Sequence, residues 1–328
     1  MLSSIKPGLL KTLFKVGYFD IVKMFQKERV AILMYHRFSE ENEQFKISRK
    51  EFDVQLKYLK GKYNFIKLKD YVDCLYNRGN RLPPNPLIIT IDDGYKDNYL
   101  YAYPVLKKYN VPATIFLTTD FISEKKWLWA DMLNYILTNA TDEKFNIMLD
   151  GVQTDFDISS KSLLHKSQLN LFNHLASIDN HQKNELIDAL ADRLKVEVPG
   201  QVTSKYDSLT WPQIVEMSQN GIDFGSHTCS HPICSRLQEE ELLRELSISK
   251  EVIEKQLGDD VSLFCYPNGQ PNDINKLVVD SVQRTGYRAA VTTTYGFNDC
   301  TDNDAFSLKR VSYNGDELCT LARMLTRP

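Results

Sequence analysis

The sequence predicts an α/β fold built on a parallel sheet, with a long insertion, and three observations carry that reading. Short apolar runs rich in β-branched residues and without alternation recur along the 328-residue chain, as in strands buried on both faces. Segments with helical periodicity and recognisable N-terminal caps lie between them. Several runs end abruptly in chemistry-bearing residues, at the strand end where parallel α/β folds gather their sites. The clearest is Leu87 to Ile91, which follows Pro83-Pro84-Asn85-Pro86 and breaks into Asp92-Asp93-Gly94. Alone, Asp-Asp-Gly is more often a turn with a helix cap than a site; its company in the chain decides.

Composition sets the outer bounds. At 42% hydrophobic and 25% charged, the chain can bury a sizeable core, and a net charge of −3 gives no reason to propose nucleic acid as a partner. Cys74, Cys229, Cys234, Cys265, Cys300 and Cys319 form no C-x-x-C pair and read as reduced, mostly packed thiols of a cytoplasmic protein. No stretch is long and apolar enough to span a bilayer.

Residues 1–29 read as an N-terminal amphipathic helical segment, and 30–328 as the barrel domain, interrupted at about 121–209. Leu9 to Phe25 threads Lys11, Lys15, Asp20 and Lys23 through its apolar residues, unlike a signal peptide. It suits a helix packed on the domain or one resting on an anionic membrane as a peripheral contact.

Val30 to Tyr35 is a buried strand ending in His36, which taken alone is more often structural. Ser48 and Glu51 form a capping box ahead of Phe52, Leu56 and Leu59. Tyr63 to Leu68 is a short strand and Asp70 starts a helix. Asp97 or Asn98 caps the helix carrying Tyr101, Val105 and Leu106, and Ala113 to Leu117 is the next strand. The rhythm then changes. Trp127-Leu128-Trp129 leads a helix, and further helical patterns cover Leu163 to Leu175 and Asn184 to Leu194, which reads as a helical insertion. Trp127 and Trp129 suit either a sugar-lined cleft or core packing. The alternation resumes at Thr210, with strands at 222–227, 261–266, 288–293 and 308–312, and helices at 239–257, 272–285 and 316–325.

His227 and His231 form H-x-x-x-H at a strand end. Two imidazoles and a carboxylate make a common catalytic site for a divalent ion. Strand ends carrying Asp92-Asp93, His227 and His36 fall on one face of a parallel barrel.

Thr90-Ile91-Asp92-Asp93-Gly94 resembles the T-F-D-D-G motif of the polysaccharide deacetylases (carbohydrate esterase family 4, the NodB homology domain). Ser226 to His231 resembles their H-[ST]-x-x-H motif, and Phe264-Cys265-Tyr266-Pro267-Asn268-Gly269 their F-R-x-P-Y-G motif. The resemblance runs from about Val30 to Ser312 and implies a distorted (β/α)7 barrel, NodB-like, that hydrolyses sugar N-acetyl groups with a metal. Position by position, it implies Asp93, His227 and His231 as ligands of a divalent ion, Zn²⁺ first with Co²⁺ or Ni²⁺ as alternatives. It implies Asp92 as general base, and places Asn268 (through its backbone N–H) and Tyr266 at the oxyanion and substrate, with Tyr95 shaping the cleft.

Two positions depart from the family pattern. The third-motif arginine is Cys265 here, and no histidine follows His231 to supply the C-terminal L-x-H acid. A permuted branch acting on poly-N-acetylglucosamine takes its acid from an N-terminal strand ending in Y-H, which Met34-Tyr35-His36 resembles, so His36 is the expected general acid. The expected substrate is an N-acetylated polysaccharide, oligosaccharide, or lipid- or nucleotide-linked glycan precursor. The alternatives are a sugar deformylase and a non-catalytic glycan-binding relative.

Overall fold

In the computed structural model, residues 6–43, 45–77, 81–301, 304–313, 315 and 317–326 are described. The N-terminal stretch forms two helices, α1 (Pro7–Lys15) and α2 (Tyr18–Met24), in place of the single helix expected over Leu9 to Phe25. Gly17 breaks them with φ of 75°, which side chains disfavour. Leu10 and Phe19 bury themselves against Cys319 and Ala322 near the C-terminus.

Strand β1 (Ala31–Tyr35) is buried throughout. A two-residue parallel pair follows, β2 (Phe38–Ser39) with β3 (Ile47–Ser48). Helix α3 (Arg49–Lys60) opens with the expected capping box: the Ser48 hydroxyl accepts the Glu51 N–H, and the Glu51 carboxylate accepts that of Ser48. The expected strand at 63–68 shortens to β4 (Asn64–Phe65). Helix α4 (Leu68–Tyr76) starts ahead of Asp70, whose carboxylate turns back to the Lys67 N–H. After β5 (Pro86–Ile91), a π-helical turn over Asn98–Ala102 runs into α5 (Tyr103–Tyr109) and β6 (Ala113–Leu117).

The insertion is built mainly of helices and adds one hairpin that the sequence did not suggest. It holds α6 (Thr119–Glu124), α7 (Trp129–Asn139), a hairpin of β7 (Lys144–Leu149) with β8 (Val152–Asp157), then α8 (Lys161–Ser177) and α9 (Asn180–Leu194). It has its own core, in which Trp129 stacks on Phe172 among Ile136, Phe145, Phe156 and Leu190. That settles Trp129 as packing. Trp127 packs on Tyr135 and Tyr206 and donates to the Pro199 carbonyl.

The chain returns through α10 (Trp211–Ser218), β9 (Ile222–Ser226), α11 (Glu239–Leu257), β10 (Leu263–Cys265), α12 (Lys276–Arg284), β11 (Ala289–Tyr295), β12 (Leu308–Ser312) and α13 (Leu318–Thr326). The expected start of the last helix at Asp316 lies outside the described residues.

Strands β1, β12, β11, β10, β9, β6 and β5 pair in that order, all parallel, and β5 pairs back onto β1. That closes a seven-stranded barrel, a (β/α)7 fold of the NodB type, with β4 added beside the start of β5. One close approach inside it demands a glycine. A β-carbon on Gly225 would lie 2.6 Å from the Phe116 ring and 2.8 Å from the Leu263 carbonyl.

Candidate active site

A parallel barrel delivers the last residue of every strand to one rim. His36 follows β1, Asp92 and Asp93 follow β5, His227 follows β9, and Cys265 ends β10. The structure therefore brings together five residues singled out in the sequence: His36, Asp92, Asp93, His227 and His231. Two adjacent aspartates can serve different partners because Asp93 takes φ of 75°, a strained conformation for a non-glycine residue of the kind found at working sites.

Asp93 faces the imidazoles. Its Oδ1 lies 3.4 Å from His227 Nε2 and 3.5 Å from His231 Nε2. Three ligands held about 2.1 Å from one tetrahedral ion stand about 3.4 Å apart, so the spacing of Asp93 from each imidazole suits such an ion. The three ligand atoms all lie within 4.8 Å of one another. The His227 Nδ1–H donates to the Cys265 carbonyl at 2.7 Å, which aims Nε2 at Asp93; that nitrogen is the one that would face an ion once its proton is released. The loop between the histidines is pinned from outside. Glu245 on α11 accepts the N–H groups of Cys229 (2.7 Å) and Ser230 (3.0 Å) and the Ser230 hydroxyl.

The metal-free electrostatics agree. Burial pushes the Asp93 carboxyl up, but the hydrogen bond from His227 and the charge near His231 outweigh it and hold it well below the ordinary range. Burial and the neighbouring His227 push His231 down to about 3. A second convergent group, Asp92, His227 and Cys265, lies close by. It makes a poorer ligand set: both Asp92 oxygens are engaged by an arginine, and burial raises the Cys265 thiol, which keeps it protonated.

That arginine is Arg310 on β12, which sequence reasoning missed. It is 1% exposed, and its two terminal nitrogens reach the two Asp92 oxygens at 2.8 and 2.7 Å. Its Nε donates to the Thr292 carbonyl (2.7 Å), and one terminal nitrogen also touches Thr90 Oγ1 at 3.1 Å and the other Cys265 Sγ at 3.3 Å. The place left by the arginine absent at position 265 is thus filled from another strand. One signal was available: an arginine between Leu308 and Val311 in a core strand needs a buried acidic partner. Burial raises Asp92, but Arg310, with help from His36 and His227, holds its carboxyl below the usual value. His36 Nε2 stands 3.7 Å from Asp92 Oδ2, and its side chain is 38% exposed, open to the mouth of the site. Asn98 fixes it from behind by donating to the His36 carbonyl at 2.8 Å, so Asn98 does not act as the expected helix cap. Asp97 likewise serves Arg37, at 2.7 Å.

The remaining expected residues divide. Asn268 sits at φ of 60°, with its amide on Asp273 and its carbonyl taken by Thr293. Its backbone N–H has no acceptor among the described residues. Tyr266 is a correction: it is fully buried against Phe264, and its hydroxyl is spent on the Phe306 carbonyl, so it belongs to the core rather than to substrate. Tyr95 is also buried, stacked under the Arg37 guanidinium at 3.9 Å. Its hydroxyl donates to Asp131 of α7 at 2.7 Å, tying the insertion to the rim. Burial, with Asp93 and Asp97 nearby, pushes the Asp131 carboxyl up to about 6 against the pull of Arg37 and Tyr95.

Comparison with known proteins identifies the family and the fold. The sequence profile described as polysaccharide deacetylase matches residues 79–290. YxkH of Bacillus subtilis, provisionally named a polysaccharide deacetylase, is 24% identical over 88% of this chain and 73% of its own. The poly-β-1,6-N-acetyl-D-glucosamine N-deacetylase of Staphylococcus aureus is 33% identical over 29% of this chain, a stretch that is 33% of that protein's length. Among solved structures, the Streptococcus pyogenes deacetylase PplD in complex with acetate superposes with a TM-score of 0.62 at 21% identity, covering 92% of this chain and all of that one. IcaB from Ammonifex degensii superposes with a TM-score of 0.60 at 20% identity, covering 91% and 97%.

Two outcomes follow from the buried charges. Arg310→Met leaves Asp92 ionised without its partner and should cost about 3–5 kcal/mol in urea unfolding at pH 7. Because the Asp92 carboxyl is depressed in the folded state, that penalty should shrink as pH falls through the unfolded carboxylate range near about 4. Asp131 has the opposite sign. Its raised carboxyl favours folding at low pH and loses that advantage as pH rises through about 6. Metal-free Asp131→Asn should therefore gain in melting temperature relative to the parent between pH 4.5 and 7.5; an unchanged difference would contradict the assignment.

Proposed function

The chain belongs to the polysaccharide deacetylase family, and we propose that it is a metal-dependent N-deacetylase of N-acetylated sugars. In this reading Asp92 is the general base, His36 the general acid, and Asp93, His227 and His231 hold the ion. The observation that carries it is the division of labour between the paired aspartates, one locked to Arg310 beside His36 and the other facing two imidazoles. A sugar-binding relic has no use for an ionised carboxylate set beside a metal-ligand trio.

A divalent ion, with Zn²⁺ as the first candidate, would supply Lewis acidity toward the acetamide oxygen and lower the pKa of the attacking water. The chain's own groups do the rest. Asp92, kept ionised and oriented by Arg310, accepts the proton of the attacking water. The Asn268 N–H is available to the oxyanion as the carbonyl carbon becomes tetrahedral. His36 then gives a proton to the departing sugar amine, releasing acetate. The exposure of His36 lets a bulky leaving group reach it while the base stays buried. The substrate class is an N-acetylhexosamine chain, the class named for the Staphylococcus aureus relative.

Acetate release from N-acetylglucosamine oligomers should vanish in chelator-stripped protein and return with Zn²⁺, Co²⁺ or Ni²⁺. Stoichiometric metal without acetate, but with formate from N-formyl sugars, would transfer the proposal to a deformylase. Asp92→Asn should keep the ion and lose roughly 10²-fold or more in kcat, and His36→Ala should lose a similar factor with an altered alkaline limb of the pH profile. Unchanged kcat in either variant would remove that residue from the chemistry.

A further inference from the structure

The catalytic proposal makes no use of the N-terminal helical pair, and this pair is built in an unusual way. Phe19 of α2 faces inward onto Cys319 and Ala322 of α13, as an amphipathic helix on a barrel should. Its outer side is not polar. Tyr18, Ile21 and Phe25 follow one another at spacings of three and four, one stripe of the helix, and Met24 stands beside them. Ile21, Met24 and Phe25 are 57%, 60% and 86% exposed, and Val16 and Leu9 of the neighbouring turn and helix are 68% and 54% exposed. Exposed apolar residues this dense on adjoining helices mark an interaction surface rather than ordinary scatter.

The charge around the stripe says what covers it. Lys6, Lys11, Lys15, Lys23 and Lys27 face only Asp20 and Glu28 over this segment, in a chain whose net charge is −3. Lys11 is paired with Glu317, and Lys23 is engaged by the Lys62 carbonyl. Lys15 and Lys27 are exposed, form no ion pair among the described residues, and sit beside the two ends of the stripe, next to Val16 and two residues after Phe25. An apolar stripe flanked by uncommitted cations matches a bilayer interface bearing anionic headgroups. A second copy of the chain fits worse, because a two-fold contact through this stripe would set the same lysines against each other.

We propose that the face of α1 and α2 bearing Val16, Ile21, Met24 and Phe25 is a docking surface for an anionic lipid bilayer. The placement has a consequence for the site. The Asn85 N–H donates to the Lys27 carbonyl at 2.7 Å, where β5 begins, so Phe25 and Lys27 lie toward the end of the barrel opposite the catalytic rim. The five residues of β1 separate that end from His36 by about 15 Å. A docked molecule holds its rim clear of the headgroups, suited to sugar chains that project from the surface.

The test is sedimentation of the full chain with vesicles of phosphatidylcholine, with and without phosphatidylglycerol, at low and high salt. The chain should pellet with the anionic vesicles, more at low salt. The double variant Ile21→Gln/Phe25→Gln should lower the partition coefficient about tenfold or more. Lys15→Glu/Lys27→Glu should abolish the preference for phosphatidylglycerol. Acetate release from soluble oligomers should stay at the parental rate in both variants, which separates failure of docking from failure of the catalytic reading. No pelleting with either vesicle would overturn the proposal. So would a dimer, seen by light scattering, that Ile21→Gln/Phe25→Gln dissolves, since the stripe would then belong to a second copy.

Discussion

The pairing of Arg310 with Asp92 is the interaction on which the rest of the site depends. A carboxylate that is 1% exposed stays ionised only with a charged partner in good geometry. Arg310 meets that demand with one nitrogen for each oxygen. The arginine is itself held by Thr90 of β5 and by the Thr292 carbonyl of β11 while being carried on β12. Three strands therefore meet on one guanidinium. Its position requires the barrel to be closed, with β1 bridging β12 and β5.

That lock frees the neighbouring aspartate for other work. With Asp92 committed to Arg310 and His36, the left-handed backbone at Asp93 turns its carboxylate toward His227 and His231. The histidines are in turn fixed from behind, His227 by the Cys265 carbonyl and the loop to His231 by Glu245. The rim is thus a set of opposite charges at short range, braced by polar contacts from the barrel strands and, for the loop to His231, from α11 outside them. The insertion is tied to this arrangement by the buried Tyr95–Asp131 hydrogen bond and by Phe121, Ile122 and Leu128, which pack in the barrel core, while its helices and hairpin enclose a core of their own.

The parts of this arrangement that are local in sequence were legible there. Strands buried on both faces have unmistakable composition, so the barrel strands and the residues at their ends could be read directly. The Ser48–Glu51 box was readable because its partners are three residues apart. What escaped depends on distant or weakly patterned residues. Arg310 meets Asp92 across 218 positions, and nothing near Leu308 to Ser312 announces its partner. The β7–β8 hairpin went unseen because only Phe145 and Phe156 of its two strands are buried, too few to show an alternation. Tyr266 was assigned to substrate from its motif position, whereas in space it fills the core below the motif. The break at Gly17 hides within an apolar-basic run that reads as one helix.

The most direct measurement of the central claim is metal stoichiometry by equilibrium dialysis of chelator-stripped protein against Co²⁺, comparing the parent with Asp92→Asn and Asp93→Asn. The two substitutions are chemically identical and adjacent, yet the account assigns them opposite results. The parent and Asp92→Asn should each bind one ion per chain, and Asp93→Asn should lose it. Retention in Asp93→Asn with loss in Asp92→Asn would place the ion among Asp92, His227 and Cys265, and would contradict the division of roles on which the whole account rests.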